Sequence, residues 1–270
     1  MKMLPKSDME ILSQRISDET GYYRLRSGRR VYYLTIPVGV YDDDTMCRPY
    51  LLIPSLPDLP DSPWISMTIS RDENGSLMST ISTDPLPEVR TTWHALHVDV
   101  LSLERTRRLR SAVHEVRYNG ALAVAKIACF PWDVARMERE TWAYSVLASQ
   151  QDPDGSSPRV APDFLGHLTE NGRVMGILLQ KVDGEPACID DLPRCEALLR
   201  RLHRLGLVHG DVNRYNFVVD RGSGGSDVRL VDFEYAEDFD EELARAELLS
   251  LPAELAEETG RGGTVVEIVG

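Results

Sequence analysis

Hydrophobic positions divide the chain into two styles of pattern. Before about Thr106, apolar residues come in short runs rich in β-branched and aromatic side chains and broken by proline. This predicts strands over Val31–Val40 and Trp64–Ser70, then a turn at Asp72–Ser76 and a return strand over Leu77–Thr83. Pro54–Pro63 carries four prolines and reads as an irregular loop. After Thr106 the periods are cleaner. Val113–Tyr118 and Leu122–Cys129 flank Asn119-Gly120, a pair suited to the positive φ of a tight hairpin turn. Asp133–Leu147 has helical spacing with Asp133 as its predicted N-cap. Gln150–Pro158 is a polar loop, and Phe164–Thr169 with Val174–Gln180 forms a second hairpin around Glu170-Asn171-Gly172.

Leu192–Leu205 is a predicted helix with Leu192, Leu198, Leu199, Leu202 and Leu205 on its inner side and Gly206 at its end. A third hairpin joins Phe217–Asp220 to Val228–Val231 across Gly222–Ser226. The acidic stretch Asp240–Glu258 predicts a helix or helix pair, and Arg261-Gly262-Gly263 breaks the pattern before Thr264–Val269.

Charge changes this picture in two ways. A formal net charge of −13 over 270 residues disfavours nucleic acid and anionic membrane surfaces as partners. Lysine occurs only at Lys2, Lys6, Lys126 and Lys181, so a lysine inside the apolar run Leu122–Cys129 calls for a partner. Glu138 and Glu140 follow on the next helix. Glu140 is the better placed, because Tyr144 and Leu147 repeat its position at one-turn intervals. Four scattered cysteines without a Cys-x-x-Cys pair, and no secretion signal or long apolar run, fit a reduced cytoplasmic setting. His94 and His97 could share one side of a helical turn, but without a third ligand they read as a structural pair beside Trp93. Asp42-Asp43-Asp44 and Glu237–Glu242 read as solvated carboxylates, since neither has EF-hand spacing.

The sharpest motif is His209-Gly210-Asp211-Val212-Asn213-Arg214-Tyr215-Asn216, followed after a hairpin by Val231-Asp232-Phe233. It sets an Asp and an Asn on one loop and returns a second Asp to the same place, which suits Mg²⁺ on phosphates and a carboxylate beside a nucleophile. This arrangement resembles the protein-kinase-like superfamily, and its His-Gly-Asp opening is nearer the aminoglycoside and choline phosphotransferases than the protein kinases. Phe164–Glu170 with Gly172-Arg173, Asn213–Phe217, Trp93–His97 and Gly260–Gly263 further resemble a family of small fungal kinase-like proteins of undefined activity.

The resemblance implies an α+β, two-lobed kinase-like fold: a β-rich N-terminal extension (1–105) packed on the small lobe, an N-lobe (106–180) and a shortened C-lobe (181–270). Asp211 would serve the acceptor and His209 would brace the loop. Asn216 and Asp232 would hold Mg²⁺. Lys126, held by Glu140, would grip the phosphates of ATP, and the backbone near Gln180, Lys181 and Val182 would meet adenine. The implied reaction is phosphorylation of a small-molecule hydroxyl or amine, with a second copy or a protein partner as an open addition.

Three departures keep alternatives open. Leu101–Ala112 has no glycine where kinases carry a Gly-rich loop, Glu234 replaces the glycine after Asp232-Phe233, and few residues follow Phe233 to bind a protein substrate. Asn213 also stands where Ser/Thr-directed protein kinases keep a lysine. A pseudokinase scaffold, or a kinase-like fold turned to other chemistry, is the competing reading.

Overall fold

The computed structural model describes residues 2–150, 159–222 and 227–263. Of the predicted polar loop 150–158 and turn 222–226, all but the first residue lie outside the described residues, as does 264–269. The class is mixed α+β, and the chain forms two compact units, Met1–Pro87 and Glu88–Gly270.

The first unit is a five-stranded sheet ordered β1 (Met9–Ile16), β2 (Thr20–Ser27), β3 (Arg30–Pro37), β4 (Ser66–Arg71) and β5 (Leu77–Ser82). Neighbours are antiparallel except β3 and β4, whose parallel pairing is bridged by the short helices α1 (Asp43–Cys47) and α2 (Pro49–Ser55). Asp42 caps α1, its carboxylate accepting from the Thr45 N–H and hydroxyl at 2.9 Å each. The first two prolines of the predicted loop have different fates. Pro54 sits within α2, one residue before its end, and irregular chain with Pro57 begins beyond it. Tyr23, Leu25, Leu34, Ile36, Leu52 and Ile69 are fully buried, and Tyr32 stacks on Trp64 with centroids 4.2 Å apart.

In the second unit, β6 (His97–Asp99), β7 (Glu104–Arg110), β8 (Val113–Tyr118), β9 (Ala121–Ile127), β10 (Phe164–Glu170) and β11 (Arg173–Gln180) make a sheet in the order β6-β10-β11-β9-β8-β7. The parallel pairing of β6 with β10 draws 97–99 into this unit, which begins at Glu88. Both Asn-Gly turns adopt the expected backbone: Asn119 has φ 48° and Asn171 φ 49°. Between β9 and β10 runs α3 (Val134–Ser149), which buries Met137, Glu140, Thr141, Tyr144 and Leu147 at three- and four-residue steps. Asp133 does not cap this helix. Its carboxylate accepts instead from the Phe130 N–H at 3.1 Å, closing the 3₁₀ turn Pro131–Asp133 that leads into α3.

The remainder is mostly short. β12 (Glu185–Pro186) pairs with β14 (Phe217–Val219), and β14 pairs with β15 (Val228–Leu230). Helix α4 (Leu192–Arg204) buries Cys195, Leu199, Leu202 and His203, while Leu192, Leu198 and Leu205 are partly covered. Gly206, at φ 88°, stops it before β13 (Leu207–Val208), which pairs with β16 (Glu237–Asp238). The acidic tail is one helix, α5 (Glu241–Leu255), capped by Asp240 through the N–H groups of Glu242 and Leu243. Among the described residues no helix is long and apolar enough to cross a membrane.

Candidate functional site

Lys126 occupies a sheet position facing the buried side of α3, where an unpaired ammonium would be costly. It is paired twice over. Its Nζ donates to Glu140 Oε1 and Oε2 at 2.7 and 3.0 Å and to Asp232 Oδ1 at 2.7 Å. Glu138 points elsewhere: its carboxylate accepts from the backbone of Arg90 and Thr91 and from the Thr91 hydroxyl. The helical phase that favoured Glu140 over Glu138 therefore sorts the two correctly as contacts.

Burial works against the Lys126 ammonium, but Glu140 and Asp232 outweigh it and hold its pKa above the ordinary lysine value. Burial also opposes ionisation of Asp232, yet Lys126 and then Arg110 keep its carboxyl below the usual aspartate value. Glu140 is lifted by burial despite Lys126. Two cations thus converge on one carboxylate, because Arg110 Nη1 donates to Asp232 Oδ2 at 2.7 Å. Glu234, in the place of the expected glycine, is raised by burial and by the neighbouring Asp232 charge.

Asp232 has φ +72°, a left-handed conformation that aspartate and asparagine tolerate better than most residues. It is held there from both sides. The preceding residue joins the loop, Val231 N–H donating to the Asn216 carbonyl at 3.0 Å, while the following Phe233 is fully buried against Tyr144 and His209.

The loop itself is braced at each turn. His209 is fully buried, and burial lowers its pKa, so the ring is neutral and its Nε2–H donates to the Val231 carbonyl at 3.0 Å. Asn216 Nδ2 donates to the Asp211 carbonyl and to Asp211 Oδ2 at 2.8 and 3.1 Å, and Asn213 Nδ2 reaches the same Oδ2 at 3.2 Å. Asp211 and Asn216 are therefore hydrogen-bonded to each other, and the Val231 N–H ties the strand end before Asp232 to Asn216.

Three supports were not foreseen from the sequence. Gly210 has φ +78°, and a Cβ there would lie 2.1 Å from the Tyr235 carbonyl oxygen, so only glycine fits. Glu247 of α5 accepts from Gly210 N–H and from His203 Nε2 at 2.7 Å each, tying the loop to α4 and α5 together. Arg214 donates to the carbonyls of Ala187 and Glu257, and the following Gly262 and Gly263 come so close that added Cβ atoms would lie 3.0 Å from Asn213 Cγ and 2.8 Å from the Tyr215 ring. The glycine-rich ending noted in the sequence is the signal that could have placed this tail on the loop.

The remaining candidates lie further off. Gln180 N–H is already donated to the Asp163 carbonyl, which removes one of the backbone groups expected to meet adenine. Lys181 pairs with Glu115 at 2.7 Å, and Lys181 and Val182 follow β11 outside its ladder. His94 and His97 stay near Trp93 but converge on a residue that was not singled out, His167, whose Nε2 accepts from the N–H groups of Trp93 and His94. Among the described residues no group of three His, Cys, Asp or Glu side chains is placed to hold a metal without other ligands.

No protein-family model matches the chain. No curated protein matches it either. Among solved structures it is similar to a chain in the crystal structure of the yeast RNA Pol II CTD kinase CTDK-1 complex, at 15% identity and a TM-score of 0.38. That match spans 52% of this chain and 47% of the other, about half of each, and nothing about activity passes from one to the other.

Proposed function

We propose that the second unit is a kinase-like domain that binds ATP with Mg²⁺ and transfers its terminal phosphoryl group to a small-molecule hydroxyl or amine. The observation that carries this reading is the assembly of Lys126, Glu140 and Asp232 beside the hydrogen-bonded pair Asp211 and Asn216. Phosphoryl transfer needs positioning and charge neutralisation more than covalent help from the protein, and this set supplies both.

The donor set fits Mg²⁺. The ion usually takes one or two protein oxygens and fills its octahedron with phosphate and water. Asn216 spends its amide nitrogen on Asp211, which leaves its side-chain oxygen for a cation, and Asp232 offers an ionised carboxylate. When bound there, the ion would neutralise charge on the phosphates of ATP. Lys126 would bind phosphate oxygens from the other side, with Glu140 keeping its ammonium in place. Asp211, oriented by Asn213 and Asn216, would accept the proton as the acceptor oxygen or nitrogen bonds to phosphorus and the bond to ADP breaks.

The tail packs on Asn213 and Tyr215, within four residues of Asp211, and a small acceptor is the reading that we favour. One observation favours the second reading, a scaffold without turnover: both oxygens of Asp232 already face cations.

Calorimetry and thermal shift with ATP, with and without Mg²⁺, on wild type and Asp232→Asn test the nucleotide site on which the enzyme reading depends. Asparagine keeps the left-handed backbone and removes the charge. Mg²⁺-dependent stabilisation of about 2.7 kcal/mol at a hundredfold excess over Kd, lost in the variant, is the expected result. Wild type that binds no ATP under either condition sinks the enzyme reading.

A further inference from the structure

Arg110 has no role in the mechanism above, although it makes one of the shortest contacts at the site. It closes β7, and the β7–β8 register shifts between Arg108 and Arg110, the kind of irregularity that re-aims a side chain at a strand end. The result is that its guanidinium lies against Asp232 Oδ2 while Lys126 lies against Oδ1, both at 2.7 Å. The side chain remains 39% exposed, so it has room to turn. No glycine occurs from Leu101 to Ala112, so this hairpin lacks the residue that lets backbone amides approach phosphate closely.

Resting on the nucleotide-site reading above, we propose that Arg110 is a phosphate-binding residue of this site, its guanidinium taking the place of a glycine-rich loop over the β- and γ-phosphates. The charges support an exchange. Without nucleotide, Lys126 and Arg110 contact two acidic groups, Glu140 and Asp232, so these four charges balance, with Glu234 a further acidic neighbour of Asp232. A polyphosphate brings negative charge to the same point, and a planar guanidinium meets two phosphate oxygens at once where an ammonium meets them only as a point charge. Turning from Asp232 to phosphate, Arg110 uncovers Oδ2, the oxygen the site needs for its cation. One side chain therefore guards the carboxylate when the site is empty and holds the ligand when it is filled.

The test is calorimetric titration of wild type, Arg110→Ala and Arg110→Lys with AMP, ADP, ATP and tripolyphosphate in the presence of Mg²⁺. In Arg110→Ala, AMP affinity stays as in wild type, while ATP and tripolyphosphate weaken by about tenfold or more. Arg110→Lys, which keeps charge but loses the fork, falls between them and serves as the comparison should the alanine variant not fold. Equal ATP affinity in wild type and both variants overturns the role of Arg110 and leaves the nucleotide site standing. Wild type that binds neither ATP nor tripolyphosphate overturns both.

Discussion

His167 should make this protein lose stability in mildly acidic solution, in a window set by one buried ring. The side chain is fully buried, and its Nε2 accepts from the N–H groups of Trp93 and His94 at 3.2 Å each. A proton on that nitrogen would set a donor against two donors. Burial first, then the neighbouring His97 and His94, bring its pKa down from 6.5 to about 4. The unfolded chain takes up the same proton near pH 6.5, so below that pH the unfolded state binds more protons than the folded one. The contribution is complete above pH 6.5 and is lost as pH falls towards about 4, a gap worth about 3 kcal/mol.

Urea unfolding of wild type and His167→Gln from about pH 7 to about pH 4.5 measures it, since glutamine keeps an acceptor but does not titrate. His209 is also lowered by burial, but it is present in both proteins and drops out of the difference. The variant is expected to be less stable at neutral pH and to show a flatter decline through the acidic window. Parallel curves for the two proteins would refute the argument.

Two further outcomes follow from the same geometry. Lys126→Met should cost about 3–5 kcal/mol by leaving Glu140 buried without a cation and Asp232 with Arg110 alone, and adding Glu140→Leu should recover a large part of it; a double-mutant cycle by urea denaturation without coupling would count against the Lys126–Glu140 pair. Gly210→Ala should cost at least about 1–2 kcal/mol from its backbone conformation alone, plus the collision with Tyr235, and a thermal midpoint equal to wild type would show that the loop can shift out of the way.

The parts of the fold that were legible in the sequence are those governed by near neighbours. The Asn-Gly turns announce two of the hairpins of the second sheet because the positive φ they need is a local property. The phase of α3 separates Glu140 from Glu138 because a helix has one buried face. The strands β1 and β2 were missed, since Met9–Ile16 mixes Glu, Ser, Gln and Arg among its apolar residues and so hides its alternation. Parallel partners were missed for another reason. Val98 pairs with Leu168 across a long connection, and no local signal marks where such a strand will dock.

The contacts that brace the candidate residues and their sheet were not legible. Arg110, Glu247 and His167 work through contacts 122, 37 and 74 residues away respectively, and an arginine or histidine in a strand carries no mark of a distant partner. Asp133 does not cap α3 because its carboxylate accepts from the Phe130 N–H of the 3₁₀ turn before that helix.

The ion triad also orders events in time. Lys126 meets Glu140 across 14 residues of chain but meets Asp232 across 106, and closing the longer loop costs about 2 kcal/mol more in chain entropy. The first pair belongs to a strand and the helix that follows it, and can form as soon as those two have been made. The second waits for the polypeptide to return from the far side of the domain. Loop entropy therefore favours an order in which the lysine meets its glutamate before the Asp232 carboxylate arrives. The contact between Lys126 and Asp232 thus marks a late step of folding, and not the appearance of helix and sheet.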